Sequence, residues 1–519
     1  MYECPNCNGN LKFDIATQYL VCGHCDSRFS PYERKKDTDT TEYYEANRFI
    51  CPQCGGEMIS GDNDATAFCS YCGSANILST RISKEKAPSH IIPFKITKEY
   101  CKKAYARKMR KAFFAPKEYK SPEFIDGFRG IYMPYHSYCF NQKGPVNLTG
   151  KTSKRKGDYI YTDHYDLTGD LDAYYRGFYY DASTSFYDSI SESVAPFNAE
   201  DIVPFTPSFL SGFYADVEDV KRGTYLEEAT KRANNNTYDA LCKEKAFKKY
   251  SVKSSANERN LDTKLHTEYE GTQNMMYPVW FMSYRNGDKV AYATVNGQTG
   301  KVVADMPVDI KKYTIGSLLL ALPIFFLLNL LFTFRPVIVL GICMLLATIV
   351  AGIYSWELGG ILRKETYADD KALFLKHNKG GGYKPKKKTA AITLASVLGL
   401  IPFIVMALMF SAQMPVLVPA LLYLGSMIAT IVICVKGRKR KKECGNIKGG
   451  KGYVLTAICQ GICSVIALLN PVHDYWYYGG VVLLLLTILW IITDILRNYN
   501  RLAMRPLPQF EKKGGDDNA

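Results

Sequence analysis

Cys4-Pro5-Asn6-Cys7-Asn8-Gly9 is answered by Cys22-Gly23-His24-Cys25, with fourteen residues between Cys7 and Cys22, and the arrangement returns 47 positions downstream as Cys51-Pro52-Gln53-Cys54-Gly55-Gly56 and Cys69-Ser70-Tyr71-Cys72. Each C-x-x-C turn aims two sulfurs at one point, and two such turns supply the four thiolates of a closed tetrahedral zinc site. The Pro and Gly beside the cysteines suit the tight backbone that a knuckle needs. Disulfides and redox dithiols are the rival readings. A thioredoxin-like dithiol needs one pair on a βαβ scaffold, and the compartment inferred below keeps thiols reduced.

The register therefore predicts two zinc ribbons, residues 1–34 and 48–80. Cys4, Cys7, Cys22 and Cys25 would hold one structural Zn2+, and Cys51, Cys54, Cys69 and Cys72 a second. Units of about 30 residues bury too little apolar surface to fold alone, whereas structural zinc supplies roughly 10–16 kcal/mol of apparent binding energy. Four thiolates leave no open coordination position, so catalysis by these metals is not expected. His24, inside a complete knuckle, reads as a spacer, and the polar stretch Lys35 to Glu45 reads as a linker that lets the ribbons move.

At the other end of the chain the composition changes. Thr314 to Phe334, TIGSLLLALPIFFLLNLLFTF, is 21 residues without a charge. As a helix it spans roughly 30 Å, the thickness of a bilayer's hydrocarbon core. Similar runs at Val337 to Trp356, Thr389 to Phe410, Val416 to Val435, Tyr453 to Asn470 and Val481 to Leu496 predict an all-α bundle of six transmembrane helices over residues 313–497. Interior polarity is confined to Asn329, Gln460 and Asp494, and Cys459 and Cys463 read as small packing residues.

Charge orients this bundle. The 519 residues carry 65 Lys+Arg against 50 Asp+Glu, a net of +15, and residues 313–519 with 23 against 10 account for +13 of it. The cations crowd alternate loops, nine in 357–388 and eight in 436–452, while Ser411 to Pro415 and Pro471 to Gly480 have none. Translocating Lys and Arg is costly, so this asymmetry predicts a multi-pass protein of the plasma (inner) membrane with both termini, including a tail at 498–519, in the cytoplasm. The opening MYECPNC has neither the basic nor the apolar segment of a signal peptide, in keeping with that orientation.

Residues 84–312 mix both hydrophobic periods and predict a cytosolic α+β domain with antiparallel sheets. Thr97 to Phe114 reads as a basic helix capped by Thr97, and Asp216 to Tyr250 as a longer helix weakened at Asn234-Asn235-Asn236. Strands are expected at Ile131–Phe140, Asp158–Asp166, Ala173–Tyr180, Pro278–Tyr284, Lys289–Val295 and Lys301–Asp305. Ile131-Tyr-Met-Pro-Tyr135 and Met276-Tyr-Pro-Val-Trp280 look like two versions of one strand. No catalytic constellation emerges, and no NTP-binding core. Residues 1–83 hold seven Lys+Arg against eleven Asp+Glu, a surface that repels phosphate, so protein partners are favoured over nucleic acid.

The paired ribbons, followed in order by Ile91-Ile-Pro-Phe94, Phe113-Phe-Ala-Pro116, Gly130-Ile-Tyr-Met-Pro134, Pro278-Val-Trp280 and Asn296-Gly-Gln-Thr-Gly300-Lys-Val302, resemble a family of bacterial membrane proteins with transcription-factor-IIB-type zinc ribbons. Some members carry a primosomal-helicase name. The resemblance covers about residues 1–335 and departs at Tyr135-His136, where an aromatic-Trp pair is expected. It implies association with envelope-stress systems built on phage-shock-protein-A-like and flotillin-like (SPFH) proteins, without helicase activity. The expectation is thus a non-enzymatic integral membrane adaptor, with no catalytic residue, that presents cytosolic zinc ribbons to protein partners. A transporter or channel with a ribbon regulator, or a membrane-tethered nucleic-acid binder, are the alternatives; the sequence names no small-molecule substrate.

Overall fold

Short β-runs separated by turn residues assemble into two sheets in a computed structural model, which describes residues 2–33, 42–60, 69–74, 79–185, 187–252, 255, 260–287, 289–331, 335–378, 417–443 and 451–506. The first ribbon makes a small antiparallel sheet of β1 (Leu11–Asp14), β2 (Tyr19–Cys22) and β3 (Arg28–Phe29). The second makes β4 (Tyr43–Ile50), β5 (Glu57–Ser60) and β6 (Ser79–Lys86). These three are not a separate unit. β4 pairs with both β5 and β6, and β5 continues onto a strand of the central domain, described next.

That domain contributes β7 (His90–Ile91), helix α1 (Lys98–Lys111), α2 (Pro122–Asp126), the long hairpin β8 (Arg129–Lys156) and β9 (Tyr159–Asp181), α3 (Asp188–Val194), β10 (Val203–Pro204) and β11 (Tyr214–Asp216). It continues through α4 (Leu226–Lys243), β12 (Ser251–Val252), α5 (Leu261–Lys264), β13 (Thr267–Asn286), β14 (Lys289–Asn296) and β15 (Val302–Ala304). β11 lies antiparallel to β5 and parallel to β8, which joins the second ribbon to the main sheet. Segments expected as two strands, 158–166 and 173–180, are one continuous β9, and its acidic residues Asp163, Asp166, Asp170 and Asp172 face solvent along it.

The two Pro-aromatic segments lie side by side. In the β8–β13 ladder Pro134 faces Met276 and Pro278 faces Tyr132. Each proline stands one residue outside its strand's second partner: β9 ends at Asp181 opposite Tyr135, and β14 ends at Asn296 opposite Val279. A residue without an N–H is tolerated in a sheet where no second ladder needs it.

Asn234, expected to weaken the α4 helix, instead fastens it. Its buried carboxamide oxygen accepts from Gln142 Nε2 at 2.8 Å and from Thr267 Oγ1 at 2.6 Å, tying α4 to β8 and β13. Tertiary hydrogen bonds override a poor helix propensity here.

The C-terminal half is helical: α6 (Ile310–Leu331), α7 (Pro336–Glu365), α8 (Lys371–His377), α9 (Leu417–Glu443), α10 (Lys451–Leu469) and α11 (Tyr475–Ala503). Among the described residues three helices, α7, α10 and α11, are long and apolar enough to cross a membrane, where the sequence predicted six. The expected span 389–410 lies outside the described residues, as does the side chain of Asn329. The runs expected at 314–334 and 416–435 do fall on helices, α6 and α9; the last turns of α9 are the cationic Arg440, Lys441 and Lys442.

Small residues let these helices approach. A methyl group on Gly480 would lie 3.1 Å from both Leu340 and Cys463, and one on Gly452 would lie 3.3 Å from Ile491 and Trp490. Cys459 and Cys463 are buried in the helix contacts, as packing residues should be. Outside, Ile428, Ile458, Ile462, Leu486, Leu489 and Trp490 are exposed, an apolar surface suited to lipid and not to water.

Helix direction follows from the contacts. Tyr423 of α9 bonds Val337 of α7, Thr430 meets Thr348, and Arg440 reaches Ser355, so α9 runs parallel to α7. Gly480 beside Leu340, and Leu502 beside Gly360, set α11 parallel as well. All three end together. At that end Arg501 pairs with Glu365, Asn500 exchanges two 2.7 Å hydrogen bonds with Val308, and β16 (Arg505–Pro506) adds to β14. The first part of the expected cytosolic tail 498–519 thus closes onto the α+β sheet, through residue 506.

Candidate metal centres

All four knuckles use one backbone device. The amide four residues after the first cysteine returns to that cysteine's carbonyl: Asn8 to Cys4 at 2.8 Å, Asp26 to Cys22 at 3.0 Å, Gly55 to Cys51 at 2.8 Å and Gly73 to Cys69 at 3.0 Å. The donor residue is left-handed in each case, with φ between 57° and 71°. Gly, Asn and Asp are the residues that adopt this conformation most readily, which is why they follow the cysteine pairs.

The turns bring the sulfurs together in the sets that the spacing predicts. Cys4, Cys7, Cys22 and Cys25 form one group and Cys51, Cys54, Cys69 and Cys72 the other, with the four sulfurs of each within 4.8 Å of one another. Separations are 3.5 Å for Cys4–Cys25, 3.4 Å for Cys7–Cys22, and 3.7 Å for both Cys51–Cys72 and Cys54–Cys69. None of the eight is bridged as a disulfide. A tetrahedral ion with metal–sulfur bonds of ~2.3 Å needs sulfurs about 3.8 Å apart, so both groups fit a four-thiolate metal ion. The Gly56 amide also points at Cys54 Sγ from 3.4 Å, a donor suited to a thiolate.

Electrostatics reach the same point. Four thiols this close cannot all ionise unaided. In the second group the hydrogen bond with Cys54 holds Cys51 below the ordinary thiol range, while contact with Cys51 drives Cys54 and Cys69 above it. A divalent cation among them removes that conflict. In the first group the Ser27 hydroxyl, 3.1 Å from Cys25 Sγ, lowers the Cys25 thiol to about 6.

The surroundings of the two groups differ. In the first, Cys4 and Cys22 are buried but Cys7 and Cys25 are exposed, and His24 faces solvent. This ribbon is nevertheless docked: the Phe13 amide bonds Ser211 O at 3.0 Å, Gln18 Nε2 bonds Phe94 O at 2.8 Å, and Phe13 packs edge-on to Phe209.

In the second group all four cysteines are buried. Tyr71, the counterpart of His24, is 1% exposed and packs on Phe281 of β13, and its carbonyl accepts from Tyr292 of β14 at 3.0 Å. Burial, with the Asp216 carboxylate beside it, pushes the Tyr71 phenol well above its ordinary pKa. Arg48 adds ion pairs to Glu57 at 2.8 Å and Glu85 at 2.6 Å, fastening β4 to β5 and β6. The ribbons predicted as mobile beads are thus both fixed to the central domain. Residues outside the cysteines do this, and the one sign of them in the sequence is the aromatic spacer at Tyr71.

No family model matches the chain, and no solved structure matches it. It is similar to the uncharacterized protein YdjG of Bacillus subtilis (strain 168), at 27% identity over 314 residues that cover 59% of this chain and 90% of that protein.

Proposed function

We propose that the protein is a non-enzymatic, multi-pass membrane adaptor in which each four-cysteine group holds one structural zinc ion and the first ribbon meets a protein partner in the cytoplasm. The observation that carries this reading is the shared end of the bundle. The parallel helices α7, α9 and α11 finish there in Arg363 and Lys364, in Arg440, Lys441 and Lys442, and in Arg497 and Arg501. The α+β domain is fastened to the same end through α8, where Lys371 pairs with Glu228 at 2.7 Å and Lys376 with Asp219 at 3.4 Å. Since clustered Lys and Arg stay on the cytoplasmic side, the metal ribbons belong there too.

Thiolate ligands in a reducing compartment, with a closed four-sulfur set, favour zinc over a redox or catalytic metal. Membership of the transcription-factor-IIB-type zinc-ribbon membrane family, and with it phage-shock-protein-A-like or SPFH-type partners in an envelope-stress response, is part of the same proposal. It rests on the ordered motifs. Pro134 and Pro278, from two of them, stand opposite one another's strand in the sheet.

The test is a photocrosslinking residue in place of His24 in intact cells. A protein adduct that disappears in the Cys4→Ser background supports the adaptor; no adduct above that of an unirradiated sample overturns it. A second reading, a transporter or channel, draws on a polar layer inside the bundle, where Gln460 Nε2 bonds Met344 O at 2.9 Å and Thr348 Oγ1 at 3.0 Å. Solute flux in reconstituted vesicles, abolished by Gln460→Leu, would replace the adaptor with that reading.

A further inference from the structure

Helix α1 begins at the Thr97 cap, whose hydroxyl accepts from the Tyr100 amide at 3.3 Å. One stripe, Cys101, Tyr105 and Met109, is buried on the sheet. The opposite stripe, Lys103, Arg107, Arg110 and Lys111, faces outward at the same helical spacing. Three neighbouring cations are engaged: Lys102 pairs with Asp126 at 2.7 Å, Lys108 bonds Val302 O, and Lys120 bonds Ala112 O. Glu99 and Glu118 are the exposed carboxylates nearest in sequence, too few to neutralise the outward stripe.

Two aromatic residues follow directly. Phe113 is 80% exposed and Phe114 37%. Phe114 is seated against the first two turns of α6: its ring lies 5.1 Å from Tyr313, a methyl on Gly316 would fall 2.8 Å from it, and its carbonyl accepts from the Asp309 amide at 2.8 Å. Beyond those turns α6 exposes Leu318, Leu319 and Leu320. The base of α6 is level with the ends of α7 and α11, because Asn500 bonds Val308 and Arg501 pairs with Glu365. Phe113 and Phe114 therefore sit at the depth where the helices pass from polar to apolar surroundings.

We propose that the end of α1 is a lipid-binding site in which Phe113 enters the acyl boundary of the bilayer while Arg107, Arg110 and Lys111 hold the phosphates of anionic phospholipids. An aromatic wedge beside a cationic helix face is the composition that binds a membrane interface.

The experiment uses the full-length protein in nanodiscs of phosphatidylcholine and phosphatidylglycerol, with p-benzoylphenylalanine in place of Phe113. Irradiation should give a phospholipid adduct by mass spectrometry. Phosphatidylglycerol should be enriched in it roughly fivefold over the bulk ratio for each cation engaged. Enrichment should fall to the bulk ratio in the Arg107→Gln/Arg110→Gln/Lys111→Gln variant, whose changes lie on an exposed face and leave the buried stripe intact. Absence of a lipid adduct, an adduct at the bulk ratio with the wild-type cations, or an adduct to protein would each overturn the proposal.

Discussion

The two cysteine groups share their spacing, their left-handed turns and their sulfur geometry, yet they occupy opposite situations. The first closes a small sheet of its own and leaves two of its four sulfurs at the surface. The second is built into the main sheet, with every sulfur buried and Tyr71 sealed between β13 and β14. One arrangement of four cysteines can thus serve as an outward module or as an internal staple. The neighbours decide, since the cysteine geometry is the same.

The largest expected contrast follows from removing one ligand at a time. Cys51→Ser should abolish the second centre, at a cost on the order of 10 kcal/mol of apparent binding energy, comparable with the whole stability of a domain. The variant should fail to accumulate in the membrane. Cys4→Ser should instead lower bound zinc from two ions to one while the resistance of residues 84–312 to proteolysis survives. Equal loss of the folded domain in both variants would break the comparison.

Spacer residues sharpen it. Tyr71→Ala should cost about 3–5 kcal/mol, read as a fall in the thermal midpoint, because a buried aromatic is deleted from a packed core. His24→Ala, at the equivalent exposed position, should change stability by less than about 0.5 kcal/mol.

A chelator offers a gentler probe. The exposed sulfurs Cys7 and Cys25 should let the first ion go at least about tenfold faster than the second, whose release requires the sheet to open. Biphasic release monitored by a zinc indicator would show this, and a single phase would contradict it.

The smallest effect lies outside both ribbons and tests that they are independent of the acidic junction with α8. Burial, then the charges of Asp188 and Asp370, raises the Asp181 carboxyl well above its ordinary value of 3.8. Such a group stabilises the fold while it is protonated in both states and loses that contribution as pH rises from its ordinary value towards the folded one. Stability should therefore decline with pH through that window, by at most about 1.4 kcal/mol per unit. Asp181→Asn should flatten the slope and leave the metal content unchanged.

Much of this was legible in the chain. The 47-residue register grouped the eight cysteines correctly because a tetrahedral site imposes short, fixed loops that are written locally. Thr97 as a cap and the antiparallel strands of the central domain were equally visible, since caps and alternation are local. The docking of the ribbons was not, because Phe13 on Phe209 and Tyr71 on Phe281 are contacts between residues some two hundred positions apart. Asn234 misled for a related reason: its propensity is poor, but Gln142 and Thr267 repay it from distant strands. Of the six expected spans, three are long apolar helices among the described residues, and 389–410 lies outside those residues.

By itself, then, the sequence determined the grouping of the eight cysteines, the apolar character of the C-terminal helices and the end at which their charges collect. Each depends on composition or spacing within a few dozen residues. Only the tertiary structure decided that the second ribbon belongs to the central sheet, that Arg505 and Pro506 close onto β14, and that Phe114 rests against α6. Those outcomes depend on which distant surfaces exclude water from one another, a property of the folded arrangement that no local pattern encodes.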